Sequence, residues 1–416
     1  MRGIPEPGPV RLLAVSTLVN TFGNGLWMVV SALYLTRSVG LSIGQTGLAL
    51  TITALVSLVV STPLGYLTDR VGPRGMLVGG LGAMAVGTAA LTLVDSFVSF
   101  LLVAVPTAVF EAAQRAAKGA VIAGAVPLER RVYTRAYLRS LTNIGISGGA
   151  AVAGLGLAVD TRAAYLTLIL IDATTYLLAA GILSRLAPIP AVPAPATGPR
   201  LIALRDRPFL AFVVLDGLMA THFGLFEVAL PLWVAHRTDA PRWVIAALFL
   251  VNTTAVVLLQ VRAARGTDDL AGAAAASRRA GFALLAGCGL FALSGTATGA
   301  VTVALLMAGA ALHVGGELWH AAAGWSISFG LAPADAHGQY QGAYAMGMQL
   351  GRIVAPLVVT SLALGGGTPG WLLLGAAFAT IGCLVPPVVR WARRMHPHRS
   401  EPVAQRQEQA ESKAAP

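Results

Sequence analysis

Long apolar runs, separated by short charged or glycine- and proline-bearing turns, recur along almost the whole chain. They fall at about residues 12–36, 44–66, 76–94, 97–119, 137–158, 163–186, 209–235, 242–262, 279–297, 299–325, 338–363 and 369–390. A bilayer-crossing helix needs about 20 predominantly apolar residues. Membrane strands would alternate over segments of about 10 residues, and no such alternation runs here. The pattern predicts an all-α membrane protein with 12 transmembrane helices. Residues 187–208 break it, with Pro188, Pro190, Pro193, Pro195 and Pro199 followed by the basic patch from Arg200 to Arg207. They read as a cytoplasmic linker between a six-helix bundle at 1–186 and a second one at 209–390. The tail at 391–416 is polar, lacks periodicity and reads as disordered.

Composition sharpens the class. Of 416 residues, 56% are hydrophobic and 11% charged, against roughly 25% charged in a soluble chain. A net charge of +11 would suggest nucleic acid in a soluble protein, but here the basic residues follow the turns. With the N-terminus taken as cytoplasmic, 24 of the 29 Lys and Arg residues fall on the inner side. Arg37, Arg162, Arg237 and Arg242 fall outside, and Arg352 lies within a span. This asymmetry predicts a multi-pass protein of the cell membrane with both termini cytoplasmic, embedded in lipid, with no nucleic-acid partner. Arg2 and Arg11 precede a first span without a small-residue cleavage site, so that span reads as an uncleaved helix. Cys288 and Cys383 sit alone in apolar spans and predict neither a disulfide nor a metal site.

An interval of 206 residues relates the two halves: Glu111 falls on Glu317, Gly124 on Gly330, Pro127 on Pro333 and Gly145 on Gly351. Parallel repeats of this kind build two-half transporters. Between the second and third spans lies Gly65-Tyr66-Leu67-Thr68-Asp69-Arg70-Val71-Gly72-Pro73-Arg74. This stretch resembles the helix 2 to helix 3 loop signature of the major facilitator superfamily, G-x-L-x-D-R-x-G-R-R in outline. Gly65, Asp69, Arg70, Gly72 and Arg74 match it, and Pro73 replaces a usual basic residue. The resemblance extends over about 12–390. It implies two halves that rock about a midplane site, with this loop as a gating latch in which Asp69 meets the end of helix 11 or nearby arginines. The equivalent loop of the second half, around Arg262 to Arg279, has lost the pattern. Gly145, Gly149 and Gly154 resemble a degraded antiporter motif, G-x3-G-P-x2-G-G, with Ala150 at the proline and Ala153 at one glycine. By spacing alone these glycines let helices pack closely.

Five acids fall inside apolar spans: Glu111, Asp172, Asp216, Glu227 and Glu317. Each costs about 2.5–3.5 kcal/mol at mid-membrane on insertion scales, so each must face a wet cavity, find a partner or be protonated. Asp172, in Ile171-Asp172-Ala173, is similar to an aspartate of drug-exporter-like members and reads as structural. The resemblance implies that helices 1, 4, 7 and 10 line the cavity. Asp216 and Glu227 are about three helical turns apart, which predicts one face shared with Phe223. His313, Glu317 and His320 follow at i, i+4 and i+7, and Asn20, Asn24, Trp27 and Ser31 are spaced similarly on helix 1. Such a lining suits an amphipathic or cationic organic molecule. Glu317 and Glu111 are expected to include the proton-coupling carboxylate. Asp216 and Glu227 are candidates for substrate or proton binding. Arg352 is expected to pair with one of these acids or to hold an anionic group of the substrate.

The order H-x3-E-x2-H differs from H-E-x-x-H, and no third ligand is evident, so no metal and no cofactor are expected. No phosphate-binding loop is present, which speaks against ATP drive from this chain, and nothing points to an enzyme. The sequence therefore predicts a monomeric secondary transporter for proton-coupled efflux of a small amphipathic organic compound, a drug or secondary metabolite. The alternatives are a proton-coupled importer of a small solute and, from another class, a non-transporting membrane receptor or scaffold.

Overall fold

The computed structural model describes residues 7–159, 161–192 and 201–396, and these are helical wherever they are regular. The long helices are α1 Pro9–Leu33, α2 Ile43–Val71, α3 Pro73–Ala90, α4 Phe97–Ala125, α5 Leu128–Val159 and α6 Arg162–Leu183. After the connecting stretch come α7 Arg207–Arg237, α8 Trp243–Ala263, α9 Leu270–Ser294, α10 Ala300–Gly330, α11 His337–Gly365 and α12 Gly367–Met395.

Local chemistry sets many of their starts. Ser42 and Gln45 form a reciprocal cap on α2, and Ser96 and Ser99 do the same on α4. Asp206 and Asp269 accept from backbone amides three residues on, opening α7 and α9. Gly72 alone separates α2 from α3 at φ +105°, a conformation that favours glycine, and Pro73 follows as the first residue of α3.

The outer faces are apolar. Leu93, Leu357, Leu102 and Val86 are 70–83% exposed, which in a chain with so few charges marks a lipid-facing surface. Among the described residues ten helices are long and apolar enough to cross a membrane, against the 12 expected from the sequence. The two that fall short are α5, with Arg130, Arg131, Arg135 and Arg139 in its first half, and α9, with Arg278 and Arg279. Both are nonetheless long helices packed among the others: α5 lies along α1, and α9 lies along α10 and α12.

Within the first six helices the closest pairs are α1 with α5 and α6, α2 with α4, and α3 with α4 and α6. Within the last six they are α9 with α10 and α12, α8 with α10, and α7 with α11 and α12. Between these sets, α2 and α4 meet α11, while α5 meets α8 and α10. The last helix runs to Met395, past the expected boundary at 390, and its Arg393 and Arg394 suit the negative end of a helix. The remaining tail, from 397, and the linker residues Pro193, Pro195, Pro199 and Arg200 lie outside the described residues.

One helix departs from regularity in a way that matters below. α7 breaks after Met219, re-forms over His222–Gly224, widens into a π-type turn at Leu225–Ala229 and finishes as Leu230–Arg237. π-type turns of this kind are frequent at functional sites.

Candidate functional site

At one end of the molecule α2 and α11 meet backbone to backbone. A Cβ on Gly65 would come within 2.2 Å of the Gly338 carbonyl oxygen, and one on Gly342 within 2.5 Å of the Ser61 carbonyl. Just beyond this crossing, buried Asp69 accepts hydrogen bonds from the amides of Gly338 (2.7 Å) and Gln339 (3.1 Å). These are first-turn amides of α11, which have no partner within their own helix. Ala336, which precedes the helix, offers no side-chain cap. Asp69 thus caps α11 from the other half of the chain, and its charge suits the positive end of that helix. Arg70 lies over the Tyr66 ring and donates to the Val192 carbonyl (2.7 Å), while the Val192 amide donates to the Asp69 carbonyl (2.8 Å). Arg74 donates to the Ser184 carbonyl. The two arginines therefore hold the chain that leaves α6.

Above this closed end lies a cavity of about 470 Å³ between α4, α5, α10 and α11, within the range usual for small-molecule sites. Five cationic residues line it: Arg115, Lys118, Arg135, Arg139 and Arg352. Three have carboxylate partners. Glu111 pairs with Arg115, Glu317 with Arg139, and Glu227 with Arg352 at 2.7 Å. The other two have none among the described residues. Lys118 donates to the Thr17 hydroxyl at 3.0 Å, and Arg135 donates to the Gln341 side chain at 2.6 Å. Arg135 also lies over the rings of Phe329, Trp325 and Tyr344 at 5.3–6.0 Å. The lining is therefore electropositive and aromatic.

The sequence leads to an expectation of a lining suited to an amphipathic or cationic molecule, and the charge of these walls differs from the cationic part of it. Arg115, Lys118, Arg135 and Arg139 counted as inner-surface residues in the sequence, whereas the structure places them in the cavity wall. Arg135 and Gln341 are also separated by the repeat interval of 206 residues. Equivalent residues of two repeats meet where their symmetry axis passes, so the axis relating the halves runs through this contact.

The other predicted residues are distributed more widely than expected. Asp216 and Glu227 do not share a face, because the break in α7 destroys the register between them. Asp216 is buried against His320, whereas Glu227 is half exposed and bound to Arg352. Phe223 goes with Glu227: the guanidiniums of Arg352 and Arg139 lie 4.8 Å and 5.9 Å from its ring. Glu111 and Glu317 match in the repeat but not in setting. Glu111 is half exposed, whereas Glu317 is buried and also accepts from Asn252 at 3.0 Å. On α1, Asn20 is buried beside Lys118 in a narrow cleft, Asn24 accepts from the Tyr176 hydroxyl at 2.8 Å, and Trp27 packs into an apolar cluster. None of these three lines the main cavity.

Of the helix 5 glycines, Gly145 and Gly149 lie against the α1 backbone near Leu18 and Phe22, but Gly154 has no neighbour within 4 Å of where a Cβ would stand. Gly351 and Ala355, one repeat interval on, lie against Gly217 and Gly224 of α7 in the same manner. Asp172 is buried, with Oδ1 lacking a hydrogen-bond partner.

Beside the cavity, α7 and α10 share a buried polar cluster. His320 Nε2 lies 3.1 Å from Asp216 Oδ1, and His320 Nδ1 lies 3.1 Å from His222 Nε2. His313 Nε2 donates to the His222 carbonyl at 3.1 Å. Sequence spacing brings His313 and His320 together and gives His222 of α7 a packing or hydrogen-bonding role; the structure joins all three in one cluster. Among the described residues, no group of three or more His, Cys, Asp or Glu side chains is arranged to hold a metal ion.

A family model, "Major Facilitator Superfamily", matches residues 13–355. No curated protein matches by sequence. Solved structures with the same fold include the human organic anion transporter MFSD10 (TETRAN), with TM-score 0.69, 16% identity, and 90% of this chain and 98% of that one covered. A bacterial homologue of the iron transporter ferroportin in its outward-facing state superposes with TM-score 0.74 at 13% identity, covering 92% and 99%. The transporter FucP in its outward conformation gives 0.72 at 15% identity, covering 92% and 98%. At these identities the likeness establishes the fold. With a family match over most of its length and a multi-pass helical fold shared with transporters, the chain belongs to the major facilitator superfamily and is a membrane transport protein, not an enzyme.

Proposed function

We propose that the protein is a secondary transporter that carries a small amphipathic organic anion by alternating access, coupled to protons. The observation that carries this reading is the cavity's charge balance: five cations line it, and two of them, Lys118 and Arg135, lack an acidic partner among the described residues. A carboxylate, sulfonate or phosphonate entering the cavity would supply the missing negative charge. Trp325 and Tyr344, which line the cavity beside Arg135, would receive the apolar body of the substrate.

The first and last six helices are the units that rock, about the axis marked by Arg135 and Gln341. The basic side of the sequence carries the Asp69 crossing, so that crossing is the cytoplasmic gate and the state described is outward-open. Export in exchange for protons is the working direction, supported by the resemblance of Gly145 and Gly149 to the antiporter motif.

The test uses inverted membrane vesicles with an imposed pH gradient and three probes: naphthalene-1-sulfonate, a neutral naphthalene and tetraphenylphosphonium. Accumulation of the sulfonate when the interior is acidic is the expected result. Accumulation of the cation instead would sink the charge argument, and sulfonate uptake with proton cotransport in right-side-out vesicles would reverse the direction.

A further inference from the structure

The carboxylates at the cavity are poorly placed to carry the coupling proton. Glu111 and Glu227 are about half exposed, and each is held by an arginine; Glu317 is buried but is bound by Arg139 and Asn252. The chain Asp216–His320–His222 differs from all of them. Its three side chains are 0–4% exposed, none lines the cavity, and among the described residues no Arg or Lys forms a salt bridge with Asp216. Two of its atoms, Asp216 Oδ2 and His222 Nδ1, are buried without a hydrogen-bond partner.

Hydrogen-bond logic leaves this chain two self-consistent states. With Asp216 ionised, His320 donates from Nε2 to the carboxylate and accepts at Nδ1 from the Nε2–H of His222, whose Nδ1 is left bare. A proton delivered to His222 Nδ1 can be passed along. His222 releases its Nε2 proton to His320 Nδ1, and His320 releases its own Nε2 proton to Asp216. The product is a neutral carboxylic acid donating to His320 Nε2, with both rings again neutral but in the opposite tautomer. One proton has been gained, and the buried negative charge has been removed.

We propose that Asp216, His320 and His222 form a one-proton relay that binds the coupling proton by a concerted tautomer switch of both rings. This rests on the proton-coupled reading above and locates the proton outside the substrate cavity.

The surroundings fit this assignment. From α10 the facing groups are His313 and Glu317, from α11 Tyr344 and Arg352, and from α5 Arg139; α12 presents the Phe378 ring. Glu317 and Arg139 neutralise each other, Arg352 is paired with Glu227, and His313 is fixed as a donor to the His222 carbonyl. Tyr344 joins the relay to the substrate site. Its hydroxyl interacts with the Asp216 side chain, and both flank Gly324, where a Cβ would come within 2.5 Å of that hydroxyl and 2.7 Å of Asp216 Oδ1. The same residue lines the cavity next to Arg135. A change of charge at Asp216 therefore acts directly on a wall of the substrate site.

The test reads the tautomers. The full chain is reconstituted in liposomes with ring-15N histidine, and solid-state NMR spectra are recorded between about pH 5 and 9. Resonances are assigned with His222→Gln, His320→Gln and His313→Gln variants. The relay predicts that His222 and His320 switch together from Nε2–H to Nδ1–H as pH falls, without an imidazolium, while His313 stays Nε2–H. In Asp216→Asn the switch is absent. Rings that hold one tautomer across the range, or that become imidazolium independently, overturn the proposal.

A second readout separates coupling from structure. In Asp216→Asn liposomes, pH-driven accumulation of naphthalene-1-sulfonate is expected to fall at least about tenfold more than sulfonate exchange at equal pH does. Equal loss of both would make Asp216 merely structural. If wild-type liposomes carry no sulfonate, the anion reading fails, and the NMR titration alone decides the relay.

Discussion

At Arg135 the guanidinium is held by a neutral amide and three aromatic rings, so no carboxylate among the described residues neutralises it. Hydrogen bonds to ionised groups contribute about 1.5–3 kcal/mol. Arg135→Gln should therefore raise the Kd for an organic sulfonate by about 10–100-fold, while Arg115→Gln, whose charge is already balanced by Glu111, should cost less. Trp325 fluorescence quenching by naphthalene-1-sulfonate measures both. Equal losses would show that the unbalanced charge is not what selects the ligand.

This chemistry was hard to read from the sequence. Arg115, Lys118, Arg135 and Arg139 stand near the ends of the apolar runs and look like membrane-edge residues. The helices that carry them outrun those apolar stretches: α4 continues to Ala125, and α5 begins at Leu128. Hydropathy reports which faces tolerate lipid, and it cannot distinguish a polar residue at the surface from one turned into a wet interior. The acids were found because a charge in the middle of an apolar run is conspicuous. Of their partners, Arg115 stands one turn from Glu111 on α4, and Arg352, expected to pair with one of the acids, meets Glu227; Arg139 and His320 reach Glu317 and Asp216 from other helices, and pairs between helices leave no local signal.

Among elements, the crossing of α2 and α11 is the most tightly specified. Gly65→Val would drive a side chain into the Gly338 carbonyl, so the two helices could not close as described. Asp69→Ala removes two hydrogen bonds to an ionised acceptor, each contributing about 1.5–3 kcal/mol before non-additivity, which shifts the open–closed population by at least about tenfold. Spin labels at Val71→Cys and Ala334→Cys, in a Cys383→Ser background, should report longer distances for both variants; unchanged distances would remove the crossing as a gate.

At the other end, Asp239 accepts from the Gly299 amide at 2.6 Å, a bond that holds its carboxyl below the usual carboxylate range. A lowered folded-state value means that this tie is fully present above the ordinary Asp range and is lost as pH falls through the folded one. The protection of the Gly299 amide, taken as its exchange rate relative to the intrinsic rate at each pH, should therefore fall at acid pH in the wild type and be low throughout in Asp239→Ala. The helices themselves, the loop between α2 and α3 and the repeat were all legible, since apolar runs, Gly72-Pro73 and the 206-residue interval are local or periodic signals. The broken course of α7 was not. Nothing in Met219–Leu230 is a strong helix breaker, so the register between Asp216 and Glu227 could not be inferred from spacing.

For the whole molecule, the pseudo-symmetry is clear in packing and lost in chemistry. Gly145 and Gly351 seat their helices on α1 and α7 alike, yet Glu111 and Glu317 sit in different environments, and the histidine cluster belongs to the second half alone among the described residues. One half supplies four of the five cavity cations, on α4 and α5, and the other supplies the relay and Arg352. On the proposed function, such a division would let the two halves respond to different ligands, anion and proton, through the shared wall at Tyr344.

The cap that Asp69 places on α11 has a further consequence. When the halves separate at that end, the amides of Gly338 and Gln339 lose their acceptor and must turn to water, and no side chain of Ala336 can replace it. The start of α11 should then fray in each transport cycle. Deuterium uptake at those two amides would count gate openings in an unlabelled, unmutated protein, and its rate under a pH gradient would give the turnover of the carrier before any cargo is known.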